Sequence, residues 1–211
     1  YGTTLSDSQI ASSLLKRAEI YPDSVDGSDK ILFEYNRQGE TTKITDQAGT
    51  VHDFDFDKLG RQTHDRVTTL GSGVDGAVRR ISSTYEVRGM RESVTSYDNA
   101  TVGSGSIVND TKFTYNSFGQ LTADYQSHSG AVNTGSSPKV QYAYASGSAN
   151  TIRPTTVTYP NGRVVTYGYN ASNSMADALS RVAAVIDNDG GGNTTFVARV
   201  FTNLDARTRR E

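Results

Sequence analysis

The chain has 211 residues and sets 21 Lys and Arg against 23 Asp and Glu, a formal net charge of -2, so its overall field recruits neither nucleic acid nor an anionic membrane. It contains no Cys, which excludes disulfides and thiolate metal sites, and no run of about 18 apolar residues, which excludes a membrane-spanning helix. Hydrophobic residues make up 35%, below the about 45–50% of ordinary domains, so the 12 Tyr and 7 Phe must carry much of the burial.

The first thirty residues stand apart. Ile10, Leu14, Leu15 and Ala18 recur at helical spacing, and Ser6 with Gln9 resembles a capping box. This predicts a short amphipathic helix over about 8–20, ended before Pro22.

From residue 31 to 205 the pattern is that of β-hairpins. Aromatic pairs at i and i+2 occur at Phe33/Tyr35, Phe54/Phe56, Phe113/Tyr115, Tyr142/Tyr144 and Tyr167/Tyr169, with a degenerate copy at Ser83/Tyr85. Residues two apart on a strand share a face, so each pair predicts one buried patch. Turn signals follow the pairs: Asn36 to Gly39, Asp57 to Gly60, Glu86 to Gly89 and Asn116 to Gly119. A polar acceptor at the first position and Gly at the fourth suit a type I turn. Asp46 to Gly49 repeats this at the opposite end of a hairpin. Tyr159-Pro160-Asn161-Gly162 places Pro second and Asn third, which predicts a type II turn.

Between turns the alternation predicts strands at 41–45, 61–69, 77–85, 91–97, 112–115, 121–125, 140–144, 155–159, 163–169, 181–186 and 195–201. The loops between them, including 99–106, 127–137 and 170–178, are rich in Gly, Ser and Asn and vary in length while the turn motifs do not. The second aromatic position falls at 35, 56, 85, 115, 144 and 169, a period of 21 to 30 residues. The spacing from Gly49 to Phe54, Phe56 and Asp57 equals that from Gly162 to Tyr167, Tyr169 and Asn170.

The stretch from Asp46 to Arg61 resembles the RHS/YD repeat, whose hallmark is Tyr-Asp, two residues, then Gly-Arg. Phe56 stands at the Tyr position, and Asp57, Gly60 and Arg61 match. Tyr35-Asn36 with Gly39, Tyr115-Asn116 with Gly119, and Tyr169-Asn170 are looser copies, and Pro160 to Arg163 is similar to the companion turn of these proteins. The resemblance implies hairpins winding as a spiral strip of sheet, which in bacterial toxins and insecticidal toxin complexes forms a hollow shell around a C-terminal toxin. Related repeats occur in animal teneurins, and a link to carbohydrate binding belongs to the same family. The core signature to which self-cleavage belongs is absent here, so that activity is not carried over. The last unit decays at Leu204 to Arg207, which lacks the Gly, and 206–211 read as a truncated repeat end. The expectation is a piece of a longer chain, since it begins with Tyr1 and ends without a stop to the pattern.

Other chemistry is thinly signalled. Gly71 to Gly76 matches G-x-G-x-x-G, but β-branched residues follow it where a dinucleotide site needs a helix. Asp53 and Asp55 share a strand face about 7 Å apart, near glycosidase carboxylate spacing, yet three acids in one row with Asp57 also make a solvated face or a protected edge. Asp187 to Asn193 suggests a calcium loop, but Gly191 and Ala198 occupy ligand positions. His52 is in phase with Phe54 and Phe56, and His64 and Asp65 point to opposite faces. Four Asn-x-Ser/Thr triplets begin at Asn99, Asn109, Asn170 and Asn193.

The resulting expectation is an all-β strip of antiparallel hairpins with one short N-terminal helix, bacterial and secreted or on the cell surface. Its role is structural and non-catalytic, without cofactor. Its partners are neighbouring repeats of the same longer chain and an enclosed C-terminal toxin domain, with neither nucleic acid nor membrane insertion. The alternatives are a carbohydrate-binding adhesion module and, last, a glycosidase-like enzyme using Asp53 and Asp55.

Overall fold

The computed structural model describes residues 1–147, 150–171, 174–188, 194–201 and 207–210, without the side chains of 176, 194–201 and 207–210. It is all-β. Each strand pairs with its neighbour in sequence, and the order in the sheet is the order in the chain. Two compact units divide it, 1–112 with 127–132 and 113–126 with 133–211.

The first unit holds β1 (Ala18–Ile20), β2 (Lys30–Tyr35), β3 (Thr41–Thr45), β4 (Val51–Phe56), β5 (Gln62–Thr69), β6 (Arg80–Tyr85), β7 (Arg91–Tyr97) and most of β8 (Ile107–Tyr115). The second holds the end of β8, then β9 (Leu121–Ser127), β10 (Lys139–Tyr144), β11 (Pro154–Thr158), β12 (Val164–Tyr169), a four-residue helix α1 (Met175–Ala178), β13 (Val182–Asp187), β14 (Thr194–Phe201) and β15 (Arg207–Arg210). Every pair with a recorded register is antiparallel.

The alternation that predicted these strands comes with a feature it did not reveal. Beside the motif aromatic the register slips by one residue. Tyr35 faces Thr41 but Glu34 faces Lys43, Phe56 faces Gln62 but Asp55 faces His64, and Tyr85 faces Arg91 but Thr84 faces Ser93. Tyr144 and Tyr169 show the same slip. One extra residue on the returning strand is a β-bulge, which bends the strand and raises its twist. The motif aromatics therefore mark where the strip turns.

Burial is shallow because, among the described residues, one sheet supplies every strand and no second sheet covers it. Among the described residues only Tyr35, Ala123, Tyr125 and Ala183 are buried hydrophobics. Phe33, Phe54, Phe56, Phe113, Tyr115, Tyr142, Tyr144, Tyr167 and Tyr169 lie on strands as expected but are half-buried, a layer of rings and not a closed core.

The expected helix over 8–20 does not form. Turns and bends run to β1, with a lone bridge between Thr3 and Ser12. The reason lies at Tyr35, whose N–H donates to Ser8 Oγ (3.1 Å) and whose carbonyl accepts from Gln9 N (2.8 Å). In the expected helix Gln9's N–H would lie in the first turn, where no intrahelical carbonyl takes it, whereas pairing with β2 uses it to satisfy a buried backbone group. Leu14 is left 84% exposed while Ile10, Leu15 and Ala18 are half-buried, so the residues at helical spacing do not share one buried face. The only helix among the described residues is α1, in a segment expected to be loop; the Ser174 hydroxyl accepts from Asp177 N (3.1 Å) at its start.

Candidate functional site

Six tight turns share one geometry. In each, the fourth-residue Gly N–H donates to the first residue's carbonyl, and the first residue's N–H donates to the fifth residue's carbonyl, at 2.8–3.1 Å. The glycines, Gly39, Gly49, Gly60, Gly89, Gly119 and Gly162, all have φ between 76° and 91°, the left-handed region that disfavours a Cβ. This is a type I turn closed by a bulged glycine. The Tyr159 turn joins this set: Gly162 and not Asn161 carries the positive φ, so the expected type II turn is corrected. Pro160 fits because Pro also suits the second position of type I.

The first residue's side chain completes the turn. Asp57 Oδ1 accepts from Leu59 N (2.8 Å) and Arg61 N (3.1 Å), and Asn36 and Asn116 each accept from the residues two and four positions on at 3.0 Å. Glu86 does this through its longer arm, with Arg88 N at 3.1 Å and Met90 N at 3.4 Å. Asp46 Oδ1 accepts from Thr50 N (2.8 Å).

The fifth residue then clamps back on the first. Arg61 Nη2 lies 2.6 Å from Asp57 Oδ2. Where the first residue is Asn, the fifth is an acceptor: Asn36 Nδ2 donates to Glu40 Oε2 (2.5 Å) and Asn116 Nδ2 to Gln120 Oε1 (2.7 Å). The side-chain hydrogen bond from Arg61 holds the Asp57 carboxyl below the usual carboxylate range, the turn N–H groups reinforcing it and burial opposing.

The motif tyrosines tie hairpin to hairpin. Tyr35, Tyr85, Tyr144 and Tyr169 donate their phenol protons to the carbonyls of Lys16, Gln62, Leu121 and Pro154, at 2.8–3.0 Å. Arginine lies over several rings: Arg61 over Tyr85 at 4.3 Å, Arg153 over Tyr169 at 4.9 Å and Arg163 over Tyr159 at 5.8 Å. Arg163 also pairs with the fully buried Asp187. Asn170 directly follows β12 and is half-buried.

Sequence reasoning missed the residues that hold the long loops. Arg80, 3% exposed, lies 3.9 Å over Tyr97 and donates to the carbonyls of Asn99 (2.8 Å), Thr101 and Ser104 (3.1 Å). Asp110 accepts from Thr95 Oγ1 (2.7 Å) and Val132 N (2.8 Å). Arg153 grips Asp177 and Ser180. Nothing in periodicity marks a charged residue that will serve a distant loop.

The acidic row is occupied by cations and donors. Arg66 makes a two-pronged pair with Asp55 (2.7 and 3.0 Å), and Asp53 accepts from Thr68 Oγ1 (2.7 Å) with Lys43 Nζ at 4.0 Å. His52 stacks on Phe54 and meets Asp65 at 2.7 Å, while His64 meets Ser82 Oγ at 2.9 Å. Burial pushes the His64 imidazole below its ordinary value. Gly71 to Gly76 leads into β6 and not into a helix. Asp187, the first residue of the calcium-like loop, is taken by Arg163, and 189–193 with Asn193 lie outside the described residues, as do 204–206. Among the described residues no group of three or more His, Asp or Glu is placed to hold a metal, and no helix is long and apolar enough to cross a membrane.

Two grooves open beside the turns. One, of about 500 Å³ in the first unit, is lined by Asn36, Glu40, Phe56, Asp57 and Lys58. The other, of about 410 Å³ in the second unit, is lined by Asn116, Phe118, Gln120, Tyr142, Tyr144 and Ser146, with no Asp, Glu, Lys or Arg among the described lining residues.

No protein-family model and no curated protein sequence matches the chain. Among solved structures it is similar to a chain in the crystal structure of TcdB2-TccC3-Cdc42, with 13% identity and a TM-score of 0.40 over 82% of this chain and 10% of that one. TcdB2-TccC3 without its hypervariable C-terminal region gives 14%, 0.40, 82% and 10%. A Photorhabdus luminescens Tc holotoxin pore gives 13%, 0.39, 81% and 9%. The chain thus spans about a tenth of the chains it matches.

Proposed function

We propose that this chain is a non-catalytic structural segment of a bacterial exported RHS/YD-repeat protein, part of a β-shell that encloses a C-terminal toxin or displays a surface. The observation that carries the reading is the Asp57–Arg61–Tyr85 link. The Asp and Arg of one repeat's motif clamp each other across their turn, and the Arg rests on the motif Tyr of the next repeat. Such a link needs a neighbour on each side and builds a continuous wall, not an isolated domain. The shallow burial, the bulges beside Tyr35, Phe56, Tyr85, Tyr144 and Tyr169 and the ion-paired acids of β4 support a wall over a glycosidase site, because Asp53 and Asp55 are taken up by Thr68, Lys43 and Arg66. The motif residues named in the sequence, from Phe33 to Asn170, take the role of hairpin pins.

Limited proteolysis of the full-length protein tests it. Enclosure predicts that sequence C-terminal to the strip resists protease until acid or denaturant opens the wall. Cleavage of that sequence at the rate of an unstructured chain rejects enclosure. A carbohydrate-binding module is the second reading, favoured by the uncharged groove with Phe118, Tyr142 and Tyr144, whose flat faces and amide neighbours suit neutral sugars. A glycan array without a binder above background rejects it.

A further inference from the structure

Three times among the described residues the chain builds the same corner: a carboxylate, a guanidinium and a tyrosine ring. Asp57, Arg61 and Tyr85 form one, Asp177, Arg153 and Tyr169 a second, and Asp187, Arg163 and Tyr159 a third. A fourth carboxylate has the ring without the guanidinium. Asp124 on β9 faces Val140 on β10, and Tyr142, two residues along, shares that side of the sheet. Asp124 is half-buried and its carboxyl makes no hydrogen bond or ion pair with any described residue, and burial alone lifts it above the usual range. Lys139, on the strand paired with that of Asp124, faces Tyr125 on the other side, with Nζ 5.3 Å from that ring.

Beside Asp124 is a hollow of about 100 Å³, walled by Pro138, Val140, Pro160 and the neighbouring Gln126 and Lys139. At about 30 Å³ for each water, it admits one small planar head group. A partly desolvated carboxylate without a partner is costly, and an incoming cation recovers that cost. The proline walls, with the Tyr142 ring on the same side of the sheet just beyond Val140, suit a weakly hydrated, planar guanidinium better than a strongly hydrated ammonium or metal ion.

We propose that Asp124, Tyr142 and the Pro138–Pro160 hollow form a docking corner for an arginine side chain presented by another polypeptide, completing in trans the arrangement that the chain completes for itself elsewhere. The inference concerns this corner alone and stands whether or not the strip encloses a cargo.

Amide NMR of the 211-residue chain, titrated with N-acetyl-arginine methylamide, tests it. The expected result is saturable shifts at Asp124, Lys139 and Val140. The uncharged citrulline analogue gives none, and the lysine analogue binds more weakly. Asp124→Asn weakens the arginine probe by at least about tenfold, the scale of one charge-assisted hydrogen bond, with the rest of the spectrum unchanged. Tyr142→Leu weakens it too while Tyr142→Phe does not, which keeps the test open should Asp124→Asn fail to fold. Absence of saturable shifts, equal response to citrulline or lysine, or unchanged affinity in Asp124→Asn overturns the proposal.

Discussion

The Arg61 guanidinium lies 4.3 Å from the centre of the Tyr85 ring while Tyr85 donates its phenol proton to the carbonyl of Gln62, the residue after Arg61. Ring and main chain thus grip the same stretch from two sides, and Asp57 holds the arginine flat by its other edge. Arg61→Lys keeps the charge but loses the planar fork and the stack. It is expected to lower the stability of the first unit by about 0.5–1 kcal/mol, the scale of a partly exposed cation–π contact. Tyr85→Leu in the same background adds less than it does alone, because the two share one interaction. Urea midpoints at constant slope measure both; full additivity denies the coupling.

Glycine at the turn's fourth position is a conformational requirement that two substitutions separate. Gly49→Ala meets only the cost of φ +82°, since no atom lies within 4 Å of the new Cβ. Gly60→Ala meets the same strain at φ +76° and also places the Cβ 2.7 Å from Glu40 Oε1. The expected losses are about 1 kcal/mol for the first and more for the second, from the left-handed penalty of about 1–2 kcal/mol. Thermal unfolding of the two variants side by side gives the comparison, and equal losses would show that Glu40 moves aside freely.

Arg80 is the side chain that ties the loop after β7 to β6. Arg80→Met removes donors from three carbonyls, of which that of Thr101 keeps only the Ser104 N–H (3.1 Å). The expected cost is about 2–4 kcal/mol, the range for breaking a buried charged network. Amide exchange of residues 99–106 accelerates more than that of β7. Uniform acceleration across β6 and β7 contradicts a local role.

Most of the strip was legible because the sheet repeats short-range chemistry. The interval from Asp57 to Arg61 contains the cap, the bulged glycine and the clamp, so a few adjacent letters determine the turn. Strands such as β7 match the alternation residue for residue. Illegible features depend on distant chain. The segment around Gln9 reads as helix until Tyr35 offers it two backbone partners. Arg80 and Arg163 look like solvated strand charges until the loop holding Thr101 and the end of β13 at Asp187 come to them. The expected depth of burial failed for a geometric reason: alternation shows which rings share a face, but not whether anything packs on that face.

Two aspartates titrate in opposite directions, which separates their contributions by pH. Asp57 is lowered by its Arg61 partner, so in the native state it releases its proton at lower pH than in the unfolded chain. Its stabilisation is present above the unfolded value of about 3.9 and is lost as pH falls through the lower folded value. Asp124 is raised by burial, so between the unfolded value and its higher folded value the native state binds more protons. Stability from that group therefore falls as pH rises through this window and stays reduced above it. Asp57→Asn is expected to destabilise at pH 7 and to lose its effect in acid, whereas Asp124→Asn stabilises at pH 7 and has no benefit below pH of about 4. Denaturant unfolding of both variants from pH 3 to 8 measures this; an Asp124→Asn variant less stable than the parent at pH 7 means that the carboxylate already has a partner in solution.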